Sequence, residues 1–500
     1  MAASMTIWRP RLAPYLAMLM ALCLGLARAP AAAAAPTKPA NLQEYAQQVA
    51  QNVRVTWSHA DRIWKGADYM QLMLVLTDVK EAWAITADAT HELTPEERAN
   101  LPMPRLSGSV NYQPFDDFQG HRGLTISVPR NYFGTTWDQF EPQYLSTFAF
   151  HVASHELFHF QVQDLARGGW SLPVGDHPAS RGTLYPLEIA PRVARLELFD
   201  ALLHAYAEPA RRAEHLGAAA YWYNVWASES GEAGEQSMTD LTEGTAEYFA
   251  VVAGARAALG FDALAETYRR TLIGELEKRR DQQWIPQLDL ESYHIGVAAG
   301  LLAEEQGLDW QADAARGTAP ITFLLQNVPP VAQEPTPRTV ARISSAVADE
   351  NAQVAPRLDP LIDALADPSH AVLALPATGM VGTFGPGQGF YHAEDMPDLQ
   401  LMPSVSARFE LPAGGVNVNR RAAAFGDAPC PLDPPPPADV GQAQRAALSA
   451  FLLVPLGPEE IEDATSDLTI TSGTLITRVH VNRVQDDTGR PVYCAVAPET

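Results

Sequence analysis

The spacing of apolar residues along the first two thirds of the chain is mostly that of amphipathic helices. In residues 41–57 the apolar positions recur at intervals of three and four, which places them on one helix face. The clearest strand in this part is 123–128, where apolar and polar residues alternate before Pro129. The helical period predicts further helices over residues 141–165, 185–207, 210–226, 239–259, 263–280 and 291–306.

Near residue 329 the pattern changes from helical to strand-like. Several prolines predict a linker over residues 329–338, and a helix is predicted after it, over residues 339–366. Short alternating segments then predict strands over residues 371–375, 404–411, 468–471, 475–484 and 491–496. We therefore expect an α+β fold, with a mainly helical domain over residues 40–328 and a strand-rich C-terminal domain over residues 339–500.

Length and charge limit the number of domains and the kinds of partner. A chain of 500 residues is longer than one hydrophobic core usually organises, so two or three domains are expected. The formal net charge of −24 would repel a phosphate backbone, and we therefore expect no nucleic-acid partner.

The N-terminus has the composition of a targeting segment. Arg9 and Arg11 precede an uncharged apolar run over residues 12–27, and small residues follow at 29–35. The run is shorter than the roughly 20 residues that span a bilayer, so residues 1–35 resemble a cleaved signal peptide. An uncleaved membrane anchor is the alternative. We expect an exported protein, periplasmic or secreted, with no membrane span in the mature chain.

Export would leave two cysteines, Cys430 and Cys494. Two cysteines in an oxidising compartment predict one disulfide between them. The alternative is a pair of free thiols, because sequence spacing does not reveal whether the two Cα atoms are close.

The segment HVASHELFHFQ, residues 151–161, contains the pattern H-E-x-x-H at positions 155–159. On a helix, His155 and His159 lie on one face about 6 Å apart along the axis, so both imidazoles can reach one zinc ion. Glu156 lies beside them and can take a proton from a water molecule there. His151 lies about 12 Å from His159 along the same row, too far to share the metal, and is expected to pack or to hydrogen-bond a ligand.

A catalytic zinc needs a third protein ligand, and the segment TEGTAEY, residues 242–248, provides the best candidate. Glu243 and Glu247 are one helical turn apart, so one carboxylate can bind the metal while the other hydrogen-bonds a ligand histidine. Asp176, His177 and Glu188 are the other candidates for the third ligand. Apolar neighbours make residues 242–252 a buried helix, where unpaired glutamates would be costly.

H-E-x-x-H followed by E-G-x-A-E-Y resembles the gluzincin metallopeptidases, the superfamily of thermolysin and aminopeptidase N. The resemblance implies that His155, His159 and Glu243 bind Zn²⁺, that Glu156 is the general base, and that Glu247 orients a ligand histidine. It covers residues 120–310 and implies a zincin-like catalytic domain. The 83 residues between His159 and Glu243 exceed the spacing in the aminopeptidase N family, and no G-A-M-E-N-like segment is present.

Two further roles follow from the same resemblance. The strand over residues 123–128 is similar to the edge strand that pairs with the substrate backbone in this superfamily. Gluzincins also use a Tyr or His from a later helix to stabilise the oxyanion, and Tyr293 and His294 occupy a predicted helix start. The alternative is that both only pack the helix. Gly296 and Gly300 are expected to permit close helix packing, with no catalytic role.

We therefore predict an exported zinc-dependent peptidase that acts on peptide or protein substrates, with Glu156 as general base. The principal alternative is a non-catalytic, zinc-stabilised binding protein with a peptidase-like fold. A helical protein without a metal is a third possibility, but it would bury His155, Glu156, His159, Glu243 and Glu247 together without compensation. Side-chain preference, endo- or exopeptidase action and oligomeric state are left open.

Overall fold

The computed structural model describes most of the chain between residues 38 and 495. The predicted signal peptide, residues 1–35, lies outside the described residues. The described ranges are 38–78, 80–101, 111–129, 131–164, 169–170, 183–229, 233–281, 289–380, 385–387, 389–431, 450–461 and 467–495.

Twelve α-helices occur in these ranges, and most belong to the N-terminal part of the chain. They are α1 (Leu42–Thr56), α2 (Pro95–Ala99), α3 (Trp137–Phe140), α4 (Phe148–Phe158), α5 (Ile189–Ala207), α6 (Arg212–Glu229), α7 (Ala233–Leu259), α8 (Ala265–Asp281), α9 (Asp289–Glu305), α10 (Trp310–Ala314), α11 (Pro320–Leu325) and α12 (Pro337–Ala366). The long helices coincide with the periodic segments of the sequence, and the predicted α+β class is confirmed.

Fifteen strands occur in the same ranges and form two sheets. They are β1 (Leu72–Thr77), β2 (Ala82–Ile85), β3 (Thr90–Glu92), β4 (Asn111–Phe118), β5 (His121–Ser127), β6 (Thr183–Tyr185), β7 (Ala371–Pro376), β8 (Gly385–Gly387), β9 (Tyr391–Ala393), β10 (Met396–Leu411), β11 (Gly414–Gly426), β12 (Phe451–Leu456), β13 (Asp467–Thr471), β14 (Leu475–Gln485) and β15 (Pro491–Ala495).

The smaller sheet has the strand order β3-β2-β1-β5-β4 and is covered on both faces. Leu72, Leu74 and Leu76 of β1 join the main core, while Met73 and Val75 join a separate cluster on the opposite face. Successive side chains of a strand point to opposite faces, which explains this division.

The predicted strand over residues 123–128 is confirmed as part of β5, but its predicted position at the sheet edge is wrong. β5 pairs in parallel with β1 on one side and antiparallel with β4 on the other. Both sides of its backbone are therefore used within the sheet. In the described chain the free edge beside β5 belongs to β4, which the alternation of residues did not reveal because pairing partners are set by tertiary structure.

The larger sheet has the order β13-β14-β15-β7-β12-β11-β10-β9-β6, with β8 paired to β10. An additional pairing of β14 with β11 closes five strands, β14, β15, β7, β12 and β11, into a ring. A second hydrophobic cluster, which includes Leu373, Val416, Leu452 and Val479, packs between these strands. The sequence predicted β7, β13, β14, β15 and the second half of β10, but it predicted neither β11 and β12 nor the closure of the ring.

Several contacts connect the helical part with the strand-rich part. β6, from the N-terminal part, pairs in parallel with β9. Tyr185 Oη donates to Asp359 Oδ1 at 2.6 Å, and Tyr391 Oη donates to Glu350 Oε1 at 2.7 Å. One hydrophobic core cluster contains residues of both parts.

The proline-rich segment lies on the helices instead of extending away from them. Residues 328–336 have no regular secondary structure, and α12 begins at Pro337, two residues before its predicted start. The backbone N–H of Val331 donates to the carbonyl of Gly217 at 2.9 Å. The N–H of Thr336 donates to Glu197 Oε1 at 2.7 Å.

Cys430 and Cys494 are joined by a disulfide, with a Cα–Cα distance of 5.5 Å. Cys494 is fully buried in β15. The bridge attaches the segment after β11 to the closed ring of strands. No helix among the described residues is both long enough and apolar enough to cross a membrane.

Candidate metal centre

The helix that carries H-E-x-x-H is shorter than its sequence pattern predicted. Residues 141–165 were expected to form one helix, but α4 spans only Phe148–Phe158 and continues as a π-helical turn, His159–Gln163. A separate 3₁₀ turn, Glu141–Gln143, precedes it. The helical start predicted at residue 185 is also wrong, because Pro186 favours extended backbone at Tyr185 and α5 begins only at Ile189.

Buried polar groups outside α4 hold its N-terminus. Glu141 Oε2 accepts the N–H of Phe148 at 3.0 Å, and Tyr45 Oη accepts the N–H of Ala149 at 3.0 Å. Tyr45 and Tyr132 donate to Glu141 Oε1 at 2.6 and 2.9 Å. The first N–H groups of a helix have no partner within it, so these bonds satisfy them and explain why α4 begins here.

His155 and His159 point their Nε2 atoms at each other and at one carboxylate oxygen from α7. The two Nε2 atoms are 3.1 Å apart, His155 Nε2 is 3.1 Å from Glu243 Oε2, and His159 Nε2 is 3.3 Å from the same oxygen. A tetrahedral zinc with bonds of about 2.0–2.1 Å separates its ligand atoms by about 3.3 Å. The three atoms therefore fit one face of a zinc coordination sphere.

This trio is the one group of potential metal ligands that the described residues bring within reach of a common ion. Glu188, an alternative third ligand, is exposed at the start of α5 and does not belong to it. Asp176 and His177 lie outside the described residues. Among the described candidates the geometry favours Glu243, and the metal-binding role of all three residues stays a prediction.

The other ring nitrogen of each histidine is held by a hydrogen bond. His155 Nδ1 lies 3.0 Å from Glu247 Oε2, and His159 Nδ1 lies 2.7 Å from Gln163 Oε1. A proton on Nδ1 leaves the lone pair of Nε2 free for a metal. The arrangement thus orients both imidazoles toward the same point.

Gln163 is a residue that the sequence did not single out. Its amide nitrogen donates to the carbonyl of Thr242 at 2.7 Å and to Thr245 Oγ1 at 2.9 Å, which leaves its oxygen directed at His159. Gln163, at the end of the π-helical turn that follows α4, therefore hydrogen-bonds α7 at Thr242 and Thr245, which lie on either side of Glu243. Its spacing of four residues from His159 was the only signal available in the sequence.

His151 and Glu247 lie behind the ligands, as the spacing predicted for His151. His151 Nε2 is 3.1 Å from Glu247 Oε2, the same oxygen that bonds His155. Arg279 Nη2 donates to the other oxygen, Glu247 Oε1, at 2.6 Å. Burial raises the pKa of Glu247, but the charges of His151 and Arg279 outweigh it and hold that pKa well below its usual value. Glu247 is therefore ionised and accepts hydrogen bonds.

The carboxylates make the position of His155 favourable for positive charge. Burial lowers the pKa of His155, but hydrogen bonds to Glu243 and Glu247 more than offset it and raise the pKa to about 10. The charge of Glu156 acts in the same direction.

Glu156 is half-buried, next to His155 on α4, whereas the candidate ligands His155 and Glu243 are almost fully buried. Its carboxylate is close enough to act on the pKa of His155. This position is compatible with the predicted general base, and the role itself stays a prediction.

The two candidates for the oxyanion donor occupy different places. The ring of Tyr293 is half-buried and its centroid is 5.2 Å from that of His155. His294 is 1 % exposed, with Nδ1 3.3 Å from Arg279 Nη1 and its ring 5.9 Å from Phe199. The structure brings Tyr293 to His155 and places His294 next to Arg279, behind Glu247.

The helices that carry Glu243 and Tyr293 cross at two glycines. A Cβ atom on Gly296 of α9 would lie 2.2 Å from the Cα of Gly244 in α7. Farther along the same crossing, a Cβ on Gly300 would lie 2.5 Å from the ring of Tyr248. The predicted close helix packing is confirmed, and it is adjacent to Glu243, the candidate third ligand.

Replacement of Gly296 by alanine is expected to destabilise the protein by about 1–3 kcal/mol, the usual cost of overpacking a core. The nearest atoms are all backbone atoms of Gly244, so no flexible side chain can move aside and the two helix backbones must separate. Glu243 adjoins the contact, so zinc retention should weaken as well. The free energy of unfolding in urea and the zinc content of the folded protein measure the two effects.

Gly274→Ala in α8 is the matched control. No atom lies within 4 Å of a Cβ at this helical position. The substitution should be neutral or stabilising by about 0.5–1 kcal/mol, because alanine favours a helix more than glycine does. Equal destabilisation by both substitutions would show that the crossing is not close in solution.

Comparisons with known proteins add no identity to this geometry. The chain matches no protein family, no curated protein sequence and no solved structure.

Proposed function

We propose that this protein is an exported zinc-dependent peptidase. The observation that carries the proposal is the convergence of His155 Nε2, His159 Nε2 and Glu243 Oε2 at mutual distances of 3.1–3.3 Å, with Glu156 beside them. Two nitrogens and one carboxylate oxygen are the donors of a common class of catalytic zinc sites. The export part of the proposal rests on the sequence of residues 1–35 alone.

The proposed chemistry divides between the metal and Glu156. Bound zinc would polarise the scissile carbonyl and lower the pKa of the attacking water, so that the water becomes a good nucleophile once it loses a proton. Glu156 would take the proton released by the water and transfer it to the leaving amine. Tyr293 is the better placed of the two candidates to donate a hydrogen bond to the developing oxyanion.

The described residues bring three potential ligands together, and not four, which favours a catalytic site over a structural one. Structural zinc sites are usually closed by four protein ligands, whereas catalytic sites keep one position for water or substrate. The side chain of His159 is 18 % exposed, so the trio is not sealed from solvent. In the alternative, a zinc-stabilised binding protein, the metal would be bound but Glu156 would not act as a base.

Metal analysis combined with a peptide-library digest tests the proposal. The purified mature protein should contain about one zinc per chain and cleave peptides. A chelator should remove both, and added zinc should restore both. A protein that binds zinc but cleaves no peptide in a broad library would favour the binding-protein alternative. A protein that binds no zinc would contradict both functions.

A further inference from the structure

We propose that Arg279 is a positioning residue for the metal centre. It holds Glu247 in the orientation in which this carboxylate hydrogen-bonds the ligand His155. The inference rests on the proposed metal centre. It adds to that centre a residue of α8, a helix that carries none of the three ligand atoms.

The two oxygens of Glu247 have separate partners. Oε1 accepts from Arg279 Nη2 at 2.6 Å, while Oε2 lies 3.0 Å from His155 Nδ1 and 3.1 Å from His151 Nε2. Rotation of the carboxylate would break these contacts together. A charged hydrogen bond of this length is among the stronger ones in proteins, so Arg279 restrains the group that orients His155.

Arg279 is itself held in place from two sides. It is 5 % exposed; its Nε donates to Glu275 Oε1 at 3.1 Å, and its Nη1 lies 3.3 Å from His294 Nδ1. These contacts reach α7, α8 and α9 through one planar group. A guanidinium presents donors in several fixed directions, which the single ammonium group of lysine does not reproduce.

His294 therefore has a different proposed role from the one that the sequence suggested. With Arg279 donating to it, Nδ1 of His294 accepts a hydrogen bond. The contacts form a continuous series from His294 through Arg279 and Glu247 to His155. His294 would thus restrain Arg279 from α9.

A second buried arginine in the same helical region allows a purely structural role to be tested. Arg192 is 2 % exposed, and its Nη1 is 2.9 Å from Glu291 Oε2, which also lies 3.3 Å from Arg195 Nε. Arg192 thus makes a buried ion pair to α9, as Arg279 does to α7, but Glu291 is not the carboxylate that bonds His155. Arg192→Met is the matched control.

The zinc dissociation constant, measured on folded protein by competition with a chelating dye, is the readout. Loss of a residue that orients a metal ligand typically weakens metal binding by about 10–100-fold, and we expect this for Arg279→Met. Arg279→Lys should lie between Arg279→Met and wild type, because it keeps the charge but loses the multiple contacts. Arg192→Met should lower thermal stability and leave zinc affinity close to wild type.

The double variant Glu247→Ala/Arg279→Met decides whether Arg279 acts through Glu247. If it does, the double variant binds zinc no more weakly than Glu247→Ala alone. If Arg279→Met does not fold, Arg279→Lys is compared in the wild-type protein and in the Glu247→Ala variant. Folded Arg279 variants with wild-type affinity, or an undiminished loss in the Glu247→Ala background, would overturn the proposal.

These measurements separate this proposal from the proposed function, because they need no substrate. Zinc binding without peptide cleavage in the wild-type protein would reject the peptidase and leave the role of Arg279 open to the same test. Zinc binding in which Arg279 has no influence would reject only the positioning role. Absence of zinc binding in the wild-type protein would reject both.

Discussion

Glu156→Gln is expected to abolish most peptide cleavage while zinc stays bound. Glutamine has nearly the same shape as glutamate but takes no proton from water. Loss of a general base typically costs about 10²–10⁴-fold in rate, and more when the same group also serves as the acid. His155, His159 and Glu243 provide the atoms that fit a zinc ion, and Glu156 is not among them. Initial rates on a cleaved peptide and zinc content per chain are the two measurements.

Glu156→Asp is the companion variant for this experiment. Aspartate keeps the carboxylate but is shorter by one methylene, so it moves the base away from the attacking water. A displacement of about 1 Å at a reacting centre can cost about 100-fold in rate. Both variants should retain zinc and the wild-type free energy of unfolding. Undiminished cleavage by Glu156→Gln would show that Glu156 is not the base.

Glu243→Ala is expected to weaken zinc binding by more than about 100-fold. Loss of a group that only orients a metal ligand costs up to about 100-fold, and loss of a ligand itself should cost more. The substitution removes one of three donor atoms and leaves the two histidines alone, 3.1 Å apart at Nε2. Zinc content after dialysis, and the dissociation constant from chelator competition, check this result. Cleavage should be lost in parallel.

Glu188→Ala and His177→Ala are the controls for the third ligand. Glu188 is exposed at the start of α5 and belongs to no metal-binding group among the described residues. Both variants should retain wild-type zinc affinity. If His177→Ala loses zinc and Glu243→Ala does not, His177 is the third ligand and the assignment of Glu243 is wrong.

The helices were predictable because their signal is local. Apolar residues at intervals of three and four mark α1 and α12, and both ends of α6, α8, α9 and α12 lie within three residues of their predicted positions. The start of α7 lies six residues before its predicted position. Errors occurred where distant groups decide an end. The start of α4 depends on Tyr45, 104 residues before Ala149, as well as on Glu141, seven residues before Phe148.

The parts of the candidate site also differ in how far the sequence predicts them, because some depend on local helix geometry and others on contacts between distant segments. His155 and His159 belong to one helical turn, so their common face follows from the geometry of a helix. Glu243 lies 88 residues after His155. The need for a third ligand, the carboxylate pair one turn apart and the resemblance to gluzincins linked the two segments, whereas local geometry did not. Gln163 and Arg279 were not predicted, because a single Gln or Arg on a helix has no distinctive pattern until its neighbours are known.

The sequence by itself determined the helical and strand periods, the histidine pair with Glu156, and the carboxylate pair one turn apart. These features depend on residues within one or two turns, where backbone geometry alone fixes which side chains share a face. The tertiary structure decided that His155, His159 and Glu243 meet, that β4 and not β5 is the free edge among the described strands, and that β6 joins the C-terminal sheet. Each of these depends on packing between segments distant in sequence, which the burial of a shared apolar core selects and local periodicity does not encode.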